Sequence, residues 1–256
     1  MEAFGFQTIT VEDGNNLEEI GKAIEAAKAD TERPSFITVK TQIGFGCPAK
    51  QGKASAHGEP LGDEAMKENL GWPSEEPFFV PEEVYDHYKE IVEGLQPAED
   101  AWNKMFAEYC EKYPEMKELW DTYYDEDLAE KVCDDADFWA YDDKADATRN
   151  LSGKMINRIK DRMPNVIGGA ADLSPSTKTY VKDEGDFSAE NYAGRNMHFG
   201  VRELAMTAIG NGIMLHGGLR AFVSTFFVFS DYTKPMARLS SIMGVPLTFV
   251  FTHDSI

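Results

Sequence analysis

QTITVEDGNNLEEIGKAIEAAKADTERPSFITVKT, residues 7–41, is the stretch that decides the fold class of this chain. Residues 7–11 and 35–41 are short and rich in β-branched side chains, which predicts two strands. Between them, apolar side chains recur at helical spacing after a turn at residues 13–16, so we expect a capped helix from about 17 to 29. A strand, a helix and a second strand form a βαβ unit, which predicts a parallel sheet.

The same alternation of strands and helices returns in the C-terminal part of the chain. A helical stripe at 151–163 is followed by predicted strands at 166–170, 219–224 and 246–251, with helices near 201–215 and 228–243. The sequence between the two blocks is helical and charged, and it becomes strongly acidic at residues 121–146, which favours a linker with surface helices. We therefore predict an α/β protein with parallel sheets and flanking helices.

The charge balance excludes two classes of partner. The 256 residues include 25 Lys and Arg against 45 Asp and Glu, a formal net charge of -20. Nucleic acids and anionic membranes are bound through clustered cations, so neither is expected as a partner. No apolar run is long enough to span a membrane and no signal peptide is visible, so we expect a cytoplasmic location.

Several polar side chains fall directly after the predicted strands, at the edge where parallel sheets bind ligands. They are His57, Asp172, Ser176, Thr225 and His253. This placement predicts a binding site at the carboxyl edge of each sheet, although it does not specify a reaction.

Glu203 and three aromatic residues after it allow two interpretations. A carboxylate in the first turn of a helix usually serves only to balance the helix dipole. Phe226, Phe229 and Tyr232 are spaced by three, which predicts a shared helical face that would ordinarily pack in a core. The alternative is a flat heteroaromatic ring stacked on these side chains while Glu203 hydrogen-bonds a ring nitrogen.

Six segments resemble motifs of the transketolase family, and they occur in the family's order. The segments are 43–46 (IGFG), 57–61 (HGEPL), 168–176 (GGAADLSPS), 200–206 (GVRELAM), 224–226 (STF) with Phe229 and Tyr232, and 252–256 (THDSI). The resemblance spans nearly the whole chain and is weakest in the acidic segment. It favours the ring-binding interpretation of Glu203.

The resemblance implies an enzyme that uses thiamine diphosphate to transfer a two-carbon ketol group from a ketose phosphate to an aldose phosphate. It also implies the thiamine-diphosphate-binding fold with two partial domains. Residues 1–112 would be the C-terminal part of the diphosphate-binding domain, residues 113–147 an acidic linker, and residues 148–256 the N-terminal part of the pyrimidine-binding domain.

For the pyrimidine ring, the resemblance implies that Glu203 is catalytic and shares a proton with N1′. Phe226, Phe229 and Tyr232 would form the slot around the ring, with Phe229 stacked on it. Asp172 would approach the cofactor from the other subunit of a homodimer.

For the rest of the site, the resemblance places His57 near the diphosphate and the reacting carbons of the sugar, where it would bind both and move a proton. Ile43 would press on the cofactor near its thiazolium ring. The sugar phosphate would be held by Arg149, Ser176 and His253, which offer a guanidinium, a hydroxyl and an imidazole.

The sequence departs from the family pattern at both ends. The family holds Mg²⁺ with a Gly-Asp-Gly run and a later Asn, and this chain has neither, since residues 13–16 lack the first glycine and the spacing. We therefore assign no metal ligand to this chain and expect the Mg²⁺ ligands upstream of it. The chain would then be an internal fragment of a transketolase or a truncated gene model. We expect it to be inactive and poorly soluble alone.

Two alternative functions stay open at this point. Another thiamine-diphosphate enzyme, of the dihydroxyacetone synthase or deoxyxylulose-phosphate synthase type, would keep Glu203 and the aromatic slot. A non-catalytic assembly subunit would use the same surface only to bind a partner. The combination of Arg149, Ser176 and His253 favours transketolase over another thiamine-diphosphate enzyme, whereas binding of thiamine diphosphate would separate an enzyme from an assembly subunit.

Overall fold

The structure is a computed structural model that describes residues 1–254 apart from the side chain of Asp63, so Ser255 and Ile256 of the last motif lie outside the described residues. The strands are β1 (Gln7–Val11), β2 (Ser35–Val39), β3 (Val166–Ala170), β4 (Asn196–His198), β5 (Arg220–Phe226) and β6 (Thr248–Thr252). The α-helices are α1 (Leu17–Ala29), α2 (Asp63–Leu70), α3 (Glu82–Lys112), α4 (Pro114–Tyr123), α5 (Leu128–Cys133), α6 (Thr148–Arg162), α7 (Ser174–Thr177), α8 (Glu203–His216) and α9 (Ser230–Met243). No helix within residues 1–254 has the length and apolar character needed to cross a membrane.

The chain divides into two compact units, Met1–Pro97 and the part from Ala98 onward. In the first unit, β1 and β2 pair in parallel from Gln7 opposite Ser35 to Val11 opposite Val39, and α1 packs on both strands. The Asn16 side chain caps α1 by accepting hydrogen bonds from the backbone N–H groups of Glu18 and Glu19, at 3.1 and 3.2 Å. The predicted βαβ unit is confirmed.

The second unit contains a four-stranded parallel sheet with strand order β4-β3-β5-β6. Its two faces carry separate apolar clusters, because residues alternate between the faces along each strand. On β5, Phe222 packs with Ile156 of α6, whereas Val223 packs with Met206 of α8. The predicted strands are all present, but β5 continues through Phe226, so Thr225 lies in the strand and not in the loop that we expected.

Two glycines allow β3 to lie close to its neighbours. A Cβ atom added at Gly169 would lie 1.8 Å from the backbone oxygen of Met197 in β4, and one at Gly168 would lie 2.5 Å from the ring of Phe222 in β5. A side chain at Gly169 would therefore clash with rigid backbone. The glycines of the GGAAD motif thus have a packing role in the centre of the sheet.

The acidic segment before α6 is attached to the second unit by both apolar and charged contacts. Val132 and Phe138 are buried in the cluster that contains Ile156. The Arg162 guanidinium is 2.8 Å from the Asp135 carboxylate, and this hydrogen bond holds the Asp135 pKa below its ordinary value. The segment that the sequence suggested was a linker with surface helices therefore also contributes to the core.

Gly169→Ala is expected to destabilise the second unit by roughly 3 kcal/mol, because the methyl group would force β3 and β4 apart. The matched control is Gly212→Ala in α8, where an added Cβ meets no atom within 4 Å. That substitution is expected to stabilise by about 0.5–1 kcal/mol, since alanine favours a helix. Thermal melting of both variants checks the pair, and equal melting temperatures would contradict the packing role of Gly169.

The isolated 256-residue chain is expected to self-associate, because one face of the β1–β2 sheet is uncovered and exposes Phe36. Phe36→Lys should raise the soluble, monomeric fraction. Thr10→Lys adds the same charge on the same face without removing an aromatic ring, so it should help less. Size-exclusion chromatography with light scattering measures the fractions, and a wild-type chain that is monomeric with clean two-state unfolding would contradict the expectation.

Candidate active site

Glu203 is the first residue of α8, and its side chain is buried. Glu203 is 7% exposed, whereas the first-turn acids of α1, Glu18 and Glu19, are both exposed. An acid that only balances a helix dipole gains nothing from burial, since removing a carboxylate from water costs free energy. The burial of Glu203 therefore indicates a role beyond the helix terminus.

Glu203 lines a cavity of about 460 Å³ at the carboxyl end of the sheet. The lining residues are Ala171, Asp172, Leu173, Val201, Glu203, Phe229 and Tyr232. The cavity thus brings together four residues that the sequence predicted for the pyrimidine site. It also adds Ala171, Leu173 and Val201, which lie inside the quoted motifs but carried no predicted role.

The three predicted aromatic residues contact one another in sequence. The ring centroids of Phe226 and Phe229 are 6.0 Å apart with nearly parallel planes, and those of Phe229 and Tyr232 are 6.2 Å apart. The expectation that all three share one helical face was wrong. Phe226 ends β5, Phe229 lies in a single 3-10 turn, and only Tyr232 belongs to α9, because the strand runs further than predicted and the helix begins at Ser230.

Arg149 and His253, predicted to hold a sugar phosphate, are in direct contact. Arg149 Nη1 lies 2.6 Å from His253 Nε2, and Thr252 Oγ1 lies 2.8 Å from His253 Nδ1. A guanidinium can only donate, so Nε2 accepts in this contact and Nδ1 carries the proton that it donates to Thr252. Both Arg149 and His253 are exposed, so an anion can reach them.

The aromatic contacts join the cavity to this basic pair. The His253 ring lies 4.0 Å from the Phe226 ring, which itself stacks on Phe229 at the cavity wall. Phe229, Phe226, His253 and Arg149 therefore form one continuous series of contacts.

Asp172 and His253 adopt left-handed backbone conformations, with φ values of 61° and 56°. Each follows the last residues of a strand, Asp172 after β3 and His253 after β6. Positive φ is uncommon outside glycine, and such residues often occur at functional sites. Both turns leave a polar side chain at the carboxyl edge of the sheet.

Ser176 lies on α7, which packs against β3, β5 and β6. Its side chain is exposed. Within the described residues it makes no hydrogen bond to Arg149 or His253, so the structure places it at the same edge of the sheet without joining it to that pair.

Ile43 and His57 belong to the first unit. Both are exposed, and they lie on neighbouring turns, since a Cβ added at Gly44 would be 3.0 Å from the Ala56 side chain. The cavity described above is lined only by residues of the second unit. Among the side chains that the structure describes, no three or more His, Cys, Asp and Glu come close enough together to hold a metal ion.

Comparisons with known proteins agree with the two sequence blocks. A family model described as "Transketolase, thiamine diphosphate binding domain" matches residues 1–129, and one described as "Transketolase, pyrimidine binding domain" matches residues 144–256. The transketolase of Halalkalibacterium halodurans is 48% identical over 259 residues, which cover 100% of this chain and 38% of the relative. The chain therefore spans less than two fifths of that relative's length.

Solved structures give the same result. The transketolase of Campylobacter jejuni superposes with a TM-score of 0.82 at 36% identity. The superposed region covers 100% of this chain and 38% of the Campylobacter jejuni chain. A transketolase from Pichia stipitis in complex with sedoheptulose-7-phosphate has a TM-score of 0.80 at 35% identity. The superposed region covers 99% of this chain and 39% of the Pichia stipitis chain. The α/β fold with parallel sheets is thereby confirmed as the thiamine-diphosphate-binding fold, and the chain belongs to the transketolase family.

Proposed function

We propose that this chain supplies the pyrimidine-binding half of a transketolase active site. The observation that carries the proposal is the buried Glu203 carboxylate at a cavity walled by Phe229 and Tyr232. The reaction would be the reversible transfer of a two-carbon ketol group from a ketose phosphate to an aldose phosphate. The Pichia stipitis relative with bound sedoheptulose-7-phosphate supports this class of substrate.

The residues of the cavity fit the aminopyrimidine ring of thiamine diphosphate. A volume of about 460 Å³ has room for a heteroaromatic ring, and aromatic walls suit its flat faces. Glu203 offers a carboxyl group that can share a proton with a ring nitrogen. When bound, the cofactor would supply the carbanion stabilisation that the reaction requires.

The chain's own residues would orient the ring, exclude water and place a proton. Phe229 and Tyr232 would stack on the ring, while Phe226 supports Phe229 from behind. Glu203 would hold the shared proton at a buried position, where a hydrogen bond is stronger than in water. Asp172 would contact the cofactor from the carboxyl end of β3.

The pair of Arg149 and His253 would bind the phosphate of the sugar, together with Ser176. Two N–H donors from the guanidinium suit two phosphate oxygens. In a chain with a net charge of -20, such a local basic pair is the feature that an anionic substrate needs. His57 would contact the diphosphate and the reacting carbons, and Ile43 the thiazolium ring.

We also propose a homodimer, with Asp172 and Glu203 serving the cofactor bound by the first domain of the other subunit. Large apolar side chains beside the cavity support it, because Val201 is 77% exposed and Val228 is 64% exposed.

The domain boundaries would be 1–112, 113–147 and 148–256. The proposal also includes Mg²⁺ held outside residues 1–256, a role in the pentose phosphate pathway or the Calvin cycle, and a cytoplasmic location.

Glu203→Gln is expected to lower kcat by about 10²- to 10⁴-fold, because an amide cannot share the proton. The measurement uses a chimaera in which residues 1–256 replace the matching segment of the Halalkalibacterium halodurans transketolase, assayed with a ketose phosphate and an aldose phosphate. Thiamine diphosphate binding is measured in parallel.

The matched control is Glu18→Gln, which changes an exposed acid in the first turn of α1. It should leave kcat unchanged. A chimaera that folds but binds no thiamine diphosphate, or a Glu203→Gln variant as active as this control, would contradict the proposed function.

Arg149→Gln is expected to raise KM for a ketose phosphate by about tenfold or more with kcat little changed, since a hydrogen bond to a charged group is lost. A ketose without a phosphate should be used equally well by the variant and the parent chimaera. Arg33→Gln removes another surface arginine and should change neither constant. Equal losses with both substrates would argue against a phosphate role for Arg149.

A further inference from the structure

Thr225 is a wholly buried threonine in β5, directly behind Glu203. Thr225 has no exposed surface, and its Oγ1 lies 3.5 Å from Glu203 Oε1. This separation is longer than the roughly 2.5–3.0 Å of an ordinary O–H···O hydrogen bond. Hydrogen bonds of catalytic groups are often long before substrate binds and shorten in the reacting complex, so the distance is compatible with a functional contact.

The Thr225 side chain lies on the face of β5 that carries an apolar cluster. Strand residues two apart share a face, so Thr225 lies on the same side of β5 as Val223. Val223 packs in the apolar cluster with Met206 of α8, one helical turn after Glu203. A valine, which has nearly the same shape as threonine, would suit this face at least as well.

The hydroxyl of Thr225 therefore has a specific partner. In the described residues, the Glu203 carboxylate is the only side-chain group that it bonds. A carboxylate only accepts, so the hydroxyl donates to Oε1. The second oxygen of Glu203, Oε2, has no hydrogen-bond partner within residues 1–254, and Glu203 lines the cavity. The two oxygens thus have different surroundings.

We propose that Thr225 is a positioning residue for Glu203. Its hydroxyl holds Oε1 against the sheet and leaves Oε2 for the ring nitrogen in the cavity. A free carboxyl group can rotate about its last bond, and a fixed donor on one oxygen removes that freedom. The inference rests on the proposed function, since it assigns Glu203 the shared proton.

The test is steady-state kinetics of the chimaera carrying Thr225→Val, Thr225→Ser or the matched control Thr179→Val. Thr179 is as buried as Thr225, but its hydroxyl bonds that of Thr177. Thr225→Val is expected to lower kcat by about tenfold or more, with KM for the ketose phosphate changed by less than about threefold. Thr225→Ser keeps the hydroxyl and should restore kcat to within about threefold of the parent.

A double variant tests whether Thr225 acts through Glu203. In the Glu203→Gln background, Thr225→Val should cost less than about twofold in kcat, because the group that it positions is already absent. Independent, multiplicative losses would overturn the proposal. If Thr225→Val does not fold by circular dichroism, Thr225→Ser against Thr225→Ala decides, because these two differ only in the hydroxyl.

The outcomes separate this inference from the proposed function. A Thr225→Val variant with more than half of the parent kcat, beside an impaired Glu203→Gln variant, overturns the positioning role and leaves the proposed function intact. An unimpaired Glu203→Gln variant overturns both. A loss with Thr179→Val equal to that with Thr225→Val would show a packing effect and would also overturn the positioning role.

Discussion

The site depends on the parallel arrangement of β3, β5 and β6, whose carboxyl ends meet at one edge of the sheet. Each strand places a predicted site residue there: Asp172 after β3, Phe226 at the end of β5 and His253 after β6. Gly168 lets β3 lie close to Phe222 of β5, and Gly169 lets it lie close to β4, because a side chain on Gly169 would clash with the Met197 carbonyl. Parallel pairing thus converts residues distant in sequence into neighbours.

The second feature of the site is a carboxyl group buried beside an apolar layer. Glu203 stands at the end of the interface between β5 and α8, where Met206 and Val223 form the adjoining layer. Burying a carboxylate is unfavourable unless donors compensate, and the Thr225 hydroxyl is a donor that lies 3.5 Å from Glu203 Oε1. The same burial strengthens any hydrogen bond that Glu203 makes to a bound ring, so the cost in stability and the benefit in binding have one origin.

The charge distribution places a basic pair in a chain that is acidic overall. The chain is acidic overall, yet Arg149 and His253 meet at the sheet edge, and the Phe226 ring joins them to the aromatic wall of the cavity. The acidic segment before α6 is held on the same unit as this basic pair, because Asp135 is paired with Arg162 and Phe138 is buried. Its apolar residues help cover the face of the sheet opposite α8.

The sequence by itself determined the α/β class, the βαβ unit, the strands β3, β5 and β6 of the second sheet and the family, because hydrophobic periodicity and ordered motifs are local signals, but it missed the short strand β4. It also selected Glu203, Phe229, Tyr232 and Asp172, which line one cavity. It misjudged the end of β5, so Phe226 and Thr225 were placed outside the strand. Only the tertiary structure decided that Thr225 faces Glu203, that Arg149 contacts His253 across 104 positions, and that Val132 and Phe138 belong to a core. These contacts join residues far apart in the chain. They are determined by strand register and helix packing, and no local sequence pattern encodes either of these.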